Sequence, residues 1–224
     1  MNVIEPKVVI EAAVNGVEIL QRIERAGRTC YKSEGRCTPT SAAPFISSIL
    51  KRGHESVIEH EQMTVRFICD RGVSHELVRH RLAAFSQEST RYCDYSDEGK
   101  FDRGVSFIRP YFFPQGSTQF GVWREAMLDA ARRYFSLTSN GATPQEARSV
   151  LPNSTKTEIV VSANLREWRH IFRLRTATAA HPQMRQVMVP LLARLRELVP
   201  IIFDDLPELG HPSPALVELA TDTI

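Results

Sequence analysis

Apolar residues recur along this chain at two spacings, every second residue or every third to fourth, and the changes between them mark out its elements. Residues 63–69 alternate cleanly, with Met63, Val65, Phe67 and Cys69 on one face, the signature of a half-buried strand. The β-branched run 157–162 reads as a strand, as do 7–14 and 105–109. Helical spacing governs 15–25, where Asn15 is the expected cap, Val17, Leu20 and Ile23 face inward, and Gly27 is the expected stop. It also governs 44–52 with Gly53 just past the end, 120–140 broken by Gly141, and 164–176. A short helical turn fills 145–150 before Pro152, and 182–199 is a last helix that Pro190 is expected to kink. The stretches 29–40 and 93–104 are polar loops, the second expected to be flexible. Strands and helices alternate without internal repeat. This predicts a mixed α/β (α+β) fold in one domain over residues 1–224, helices packed around a modest mixed sheet. Neither a Gly-x-Gly-x-x-Gly turn nor a Walker-type loop is present, so a Rossmann fold is not expected.

One more helix is predicted over residues 73–85, capped by Ser74, and it carries a misfit. Val73, Leu77, Val78, Leu82, Ala84 and Phe85 form one apolar arc, and Arg81 projects from its middle. Its helical neighbours are Leu77, Val78, Ala84 and Phe85, so no local acid reaches it. A guanidinium cannot shed its charge, and burying one unpaired is costly. Either the side chain snorkels out or meets a remote carboxylate, or an anionic ligand completes it. Arg175 repeats the anomaly by continuing the apolar stripe of Leu165, Trp168, Ile171 and Phe172. Arg166, Arg169, His170 and Arg173 lie opposite and read as a solvated basic face. Arg79, His80 and Arg81 are consecutive and run into the polar stretch 86–91, a setting suited to phosphate and heteroaromatic ligands.

Composition narrows the class. Of 224 residues, 42% are hydrophobic and 24% charged, enough for one large domain with a real core. A formal charge of +2 is too balanced to mark a nucleic-acid or membrane protein. No apolar run approaches the roughly 20 residues of a membrane helix. Residues 1–6 show neither a basic nor an apolar export segment, so a cytoplasmic location is expected. Cys30, Cys37, Cys69 and Cys93 lack Cys-x-x-Cys spacing and read as reduced thiols. Between His54 and His60, Ile58 stands where the second histidine of His-Glu-x-x-His would fall, so no metal is expected. Ser89 lacks a Gly-x-Ser-x-Gly elbow and reads as structural. Glu76 and His80, four apart, make either an oriented imidazole or an ordinary surface pair.

Arg79-His80-Arg81, followed after seven residues by Ser89, is the pattern of flavin-dependent thymidylate synthases, and the chain resembles that family well beyond it. Arg91-Tyr92, Gly53-His54-Glu55-Ser56, the Ala-Arg-Ser-Val-Leu-Pro run at 147–152, and Asn164-Leu165-Arg166 through Leu174-Arg175 fall in the family's order. The resemblance implies the family's own α/β fold and a homotetramer with sites shared between subunits. It implies reductive methylation of dUMP to dTMP, with methylenetetrahydrofolate as carbon donor and FAD, reduced by NADPH, as hydride source. By position, Ser56, Arg79, His80, Arg81, Gln87, Asn164, Leu165, Arg166 and His170 would contact FAD. The nucleotide would meet Glu76, Leu77, Val78, Arg79, Gln87, Glu88, Ser89, Thr90, Arg91, Arg148 and Arg175, with His54 on the flavin and folate side. Arg175 would face the uracil ring and stabilise negative charge at N3 and the carbonyl oxygens, making C5 nucleophilic without an enzymic cysteine.

Three departures stand out: Glu76 replaces an amide, Ser86-Gln87 stands for Asn-Glu, and His170 occupies a position that is Asn in some relatives. Residues 176–182 align loosely, so no role passes to His181. Two readings from other classes compete, an RNA- or nucleotide-binding module built on the arginine-rich helices and a phosphotransferase without flavin. Both predict colourless protein, and the first predicts binding that weakens steeply with salt.

Overall fold

Two nine-residue strands form the spine of the molecule. β3 (Gln62–Asp70) and β6 (Lys156–Asn164) pair antiparallel along their whole length, Gln62 opposite Asn164 and Asp70 opposite Lys156. The computed structural model describes residues 1–97, 104–207 and 209–220. Met63, Val65, Phe67 and Cys69 face the core beside Thr157, Ile159, Val161 and Ala163, all buried. The other face is polar: Thr64 and Ser162 share a 2.7 Å hydroxyl bond, and Arg66 bridges Glu11 and Glu158. Strict alternation on an antiparallel pair gives this one-sided sheet. β2 (Lys7–Ile10) joins β3 antiparallel, β7 (Leu216–Leu219) joins β2 parallel, and β4 (Ala84–Gln87) joins β6 antiparallel. The order β4-β6-β3-β2-β7 is the expected mixed sheet.

Helices cover the apolar face. Ile23 of α1 (Gly16–Thr29), Ile46 of α2 (Ala42–Lys51), Trp168 and Phe172 of α6 (Leu165–Arg175), and Leu191 of α7 (Pro182–Leu198) are fully buried there. Each such side chain contributes about 1.5–3 kcal/mol. Asn15 caps α1 as its sequence indicates, accepting the Glu18 N–H at 3.3 Å. Gly27, however, does not end that helix. A Cβ at Gly27 would lie 2.8 Å from the Phe45 ring, so the glycine lets α2 come close. α7 runs on through Pro190. The Gln186 carbonyl that a proline four residues on cannot bond instead accepts the Ala215 N–H at 2.9 Å, which ties down the approach to β7. A second apolar cluster joins Trp123, Met127, Ala131 and Tyr134 of α4 (Thr118–Ser139) to Phe107 of β5 (Ser106–Ile108), which pairs with β1 (Asn2–Ile4). The short α5 (Pro144–Ala147), opened by a capping box of Thr143 and Glu146, leads into a 3₁₀ turn at Arg148–Val150. Half of the predicted flexible loop 93–104, residues 98–103, lies outside the described residues.

The predicted helix over 73–85 is corrected. α3 spans only Arg71–Leu77, and its cap is Asp70, which accepts the Val73 N–H at 2.9 Å, while Ser74 donates back to the Arg71 carbonyl. The chain then turns through residues 78–83 and enters β4, where Phe85 pairs with Val161. An open edge on β6 outweighs the helical pattern, because a paired strand satisfies its backbone and still half-buries Phe85. Arg81 and Leu82 consequently sit on a turn and are exposed. The burial argument therefore fails for Arg81.

Candidate active site

The end of α6 crosses the end of α3, and Arg175 fills the crossing. Asn164 starts α6 by accepting the Glu167 N–H at 2.8 Å, which sets the helix phase eleven residues ahead of the arginine. Arg175 Nη1 donates to Glu76 Oε2 at 2.6 Å, Nη2 to the Glu76 carbonyl at 2.9 Å, and Nε to His80 Nε2 at 3.0 Å. The sequence correctly finds no acid within helical reach of Arg175, but Glu76 arrives from 99 positions away. The expected Glu76–His80 pairing gives way to this one, since the chain leaves the helix before His80.

His80 is buried and neutral. Burial, the Arg175 charge and His170 push its pKa down to about 4. Because Nε2 accepts from Arg175, Nδ1 carries the ring proton, and it faces Glu167 Oε1 across 3.6 Å. Burial raises the Glu167 carboxyl above its ordinary range. His170 meets the His80 ring edge-on at 5.8 Å. His80, Glu167 and His170 bring ligand-type atoms within 4.8 Å of one another, but a cation there would face the Arg175 charge.

These groups line a cleft of about 380 Å³ that also takes in Arg79, Arg81, Leu82 and Leu174. Arg79 and Arg81 are exposed and have no carboxylate partner among the described residues. His54 and Ser56 line a separate cavity of about 580 Å³, with Tyr31, Arg36 and Arg52, which the sequence did not single out. The two cavities share no wall residue.

The remaining predicted residues divide by what already holds them. Leu77 and Leu165 are core residues, so only their backbone can meet a ligand. Gln87 turns inward to Ser74 at 2.8 Å and Thr157 at 3.2 Å. Glu88 accepts from Lys156 and from the Tyr95 hydroxyl, both at 2.9 Å. Ser89 Oγ accepts the Arg91 N–H at 3.2 Å, a turn contact, and the Arg91 guanidinium lies over Tyr92. Buried Thr90 accepts from exposed Arg148 at 3.2 Å, which joins the 88–91 turn to the 3₁₀ turn. Val78 and His170 are exposed, and Arg166 pairs with Glu59 at 2.5 Å.

The solvated basic face on α6 is corrected at Arg169, while Arg166, His170 and Arg173 are exposed as expected. Arg169 is 1% exposed, gripped by Asp205 at 2.5 and 2.7 Å, by Glu55 at 3.0 Å and by the Ile202 carbonyl. Arg173 shares Glu55 at 3.0 Å. Burial alone would raise the Glu55 carboxyl, but hydrogen bonds from Arg173 and Arg169 outweigh it and hold it below the ordinary range. Sequence periodicity could not show this, because the C-terminal segment that supplies Asp205 folds over that side of α6. Glu55 stands between His54 and Ser56, so the same cluster fixes the lip of the larger cavity.

Comparison with known proteins gives this geometry its context. Residues 15–201 match the family model described as thymidylate synthase complementing protein. A flavin-dependent thymidylate synthase from Geobacter sulfurreducens is 35% identical over 187 residues, 80% of this chain and 78% of the relative. One from Corynebacterium aurimucosum is 35% identical over 201 residues, 82% of this chain and 78% of the relative. The crystal structure of PolB from Streptomyces cacaoi, a UMP/dUMP methylase bound with 5-Br dUMP, superposes with a TM-score of 0.75 at 20% identity. It covers 96% of this chain and 100% of its own, and at that identity it speaks for the fold. Among the described residues no helix is long and apolar enough to cross a membrane. With a family model spanning most of its length and relatives above 30% identity, the chain belongs to the flavin-dependent thymidylate synthase family.

Proposed function

We propose that residues 1–224 form one catalytic domain that converts dUMP to dTMP, with methylenetetrahydrofolate as carbon donor, FAD as cofactor and NADPH as reductant. The observation that carries the reading is the family match together with the Arg175 cleft, whose wall is built from the family's motif residues. FAD fits the residues present: Arg79 and Arg81 have no anionic partner among the described residues and suit a pyrophosphate, while neutral His80 and exposed His170 suit a polar ring edge. Bound flavin, once reduced, would supply the hydride that completes the methyl group.

The chain's own residues bind and polarise. Arg175 has five N–H donors, three of them held by Glu76 and His80, which leaves two that can donate to uracil carbonyl oxygens. Fixed there, it stabilises charge spreading over the ring and raises the nucleophilicity of C5, without reorganising as the charge develops. Arg91 and Arg148 suit the nucleotide phosphate, and Ser89 shapes the turn between them. Of the residues assigned to flavin, Ser56 lines one cavity and Arg79, His80, Arg81 and His170 line another without a common wall, which supports a homotetramer in which a second copy closes the site. The decisive experiment supplies dUMP, methylenetetrahydrofolate, NADPH and FAD and follows dTMP by chromatography. Yellow protein and dUMP-dependent dTMP are expected; colourless protein with no dTMP would overturn the reading.

A further inference from the structure

Glu167 is 6% exposed, and its carboxylate faces the His80 ring, which accepts from Arg175. Buried carboxylates without a tight partner are costly and rarely idle. We propose that Glu167 is a positioning residue: through His80 it fixes the direction of the Arg175 guanidinium, opposite the grip of Glu76. The proposal rests on the reading of Arg175 given above.

Arg175 Nε–H can only donate, so His80 can hold it only while Nε2 keeps a bare lone pair. Of the two neutral imidazole tautomers, that requires the one with its proton on Nδ1. Glu167 Oε1, 3.6 Å from Nδ1, favours this tautomer electrostatically. The other tautomer would set two N–H groups head to head at 3.0 Å and turn Arg175 away. Glu76 alone does not suffice, because a guanidinium held only at Nη1 and Nη2 still swings about that contact. Glu167 and His170 are three residues apart on α6, and Arg175 ends the same helix, so one rigid element carries both the orienting acid and the oriented cation. Glu167→Gln keeps an oxygen that can face Nδ1–H, whereas Glu167→Leu keeps the bulk and removes the acceptor.

The test uses the flavin-loaded protein and 15N-histidine labelling. In the wild type, the His80 signals are expected to report a proton on Nδ1 and none on Nε2. Glu167→Leu is expected to shift that signature toward a mixture and to lower kcat about 10- to 100-fold. The KM for dUMP should move far less, and flavin content and melting temperature should match the wild type. Glu167→Gln should restore most of kcat and the Nδ1–H signature. An Nε2–H tautomer in the wild type, or Glu167→Leu turning over at the wild-type rate, would overturn the inference. If the wild type itself makes no dTMP, the proposed function fails, and the NMR signature still judges the tautomer.

Discussion

At the scale of the residue, the site turns on which arginines are already satisfied. Arg175 is held at Nε, Nη1 and Nη2 by groups of the same chain, and Arg169 by two carboxylates and a carbonyl. Arg79 and Arg81 have no such partners among the described residues. The first kind is pre-aimed, and the second waits for an anion. Arg175→Ala should therefore abolish dTMP formation while leaving FAD bound, read as product by chromatography and flavin by absorbance. Arg81→Ala should do the reverse in part, with faster flavin loss on gel filtration that grows with salt, because an exposed phosphate contact is screened. Flavin loss in the first variant, or full retention in the second, would exchange their roles. Arg175 was legible in the sequence because a charge continuing an apolar stripe violates a local rule, whereas the 79–81 motif was legible only as a family pattern, since the arc assigned around Arg81 does not form. Glu76 as the partner of Arg175 was not, since a contact across 99 positions leaves no periodic trace.

At the scale of the element, the two long strands followed their pattern and the helices needed their neighbours. β3 and β6 are strands wherever their alternation says so, because each second residue must enter one core. α3 stops early, since an empty edge on β6 recruits residues 84–87 that local periodicity assigned to the helix. α6 keeps its predicted span but not its predicted exposure. The 3₁₀ turn Glu55–His60 and the segment around Asp205 close over Arg169, and this packing joins the helix of Arg175 to the lip that presents His54 and Ser56. Arg169→Met should thus cost about 3 kcal/mol, near the low end for breaking a buried ion pair, because Asp205 retains some solvent. Chemical denaturation measures it; a change within half a kcal/mol would mean that the cluster contributes little.

At the scale of the whole molecule, the buried charges set how stability follows pH. His80 titrates near 4 in the folded chain against an ordinary 6.5, so between those values the unfolded chain binds the extra proton. Its contribution is intact above pH 6.5 and lost as pH falls toward 4. Glu55 and Asp205 are depressed from 4.5 and 3.8, so theirs is present above those values and lost as pH drops further. Glu167 is raised and works in the opposite direction. Denaturation midpoints taken from pH 7 to 4 should fall in the wild type and fall less steeply in His80→Gln; equal slopes would show that His80 is not the titrating group.

The sequence by itself determined the strands β2, β3, β5 and β6, the α1 cap and the family's chemical motifs, because these depend on spacing and residue type within a few turns of chain. The tertiary structure alone decided that Arg81 faces solvent, that Arg169 is buried, and that Glu76, His80 and Glu167 converge on Arg175. Such contacts depend on which distant segment reaches a given side chain first, and no local period records that competition.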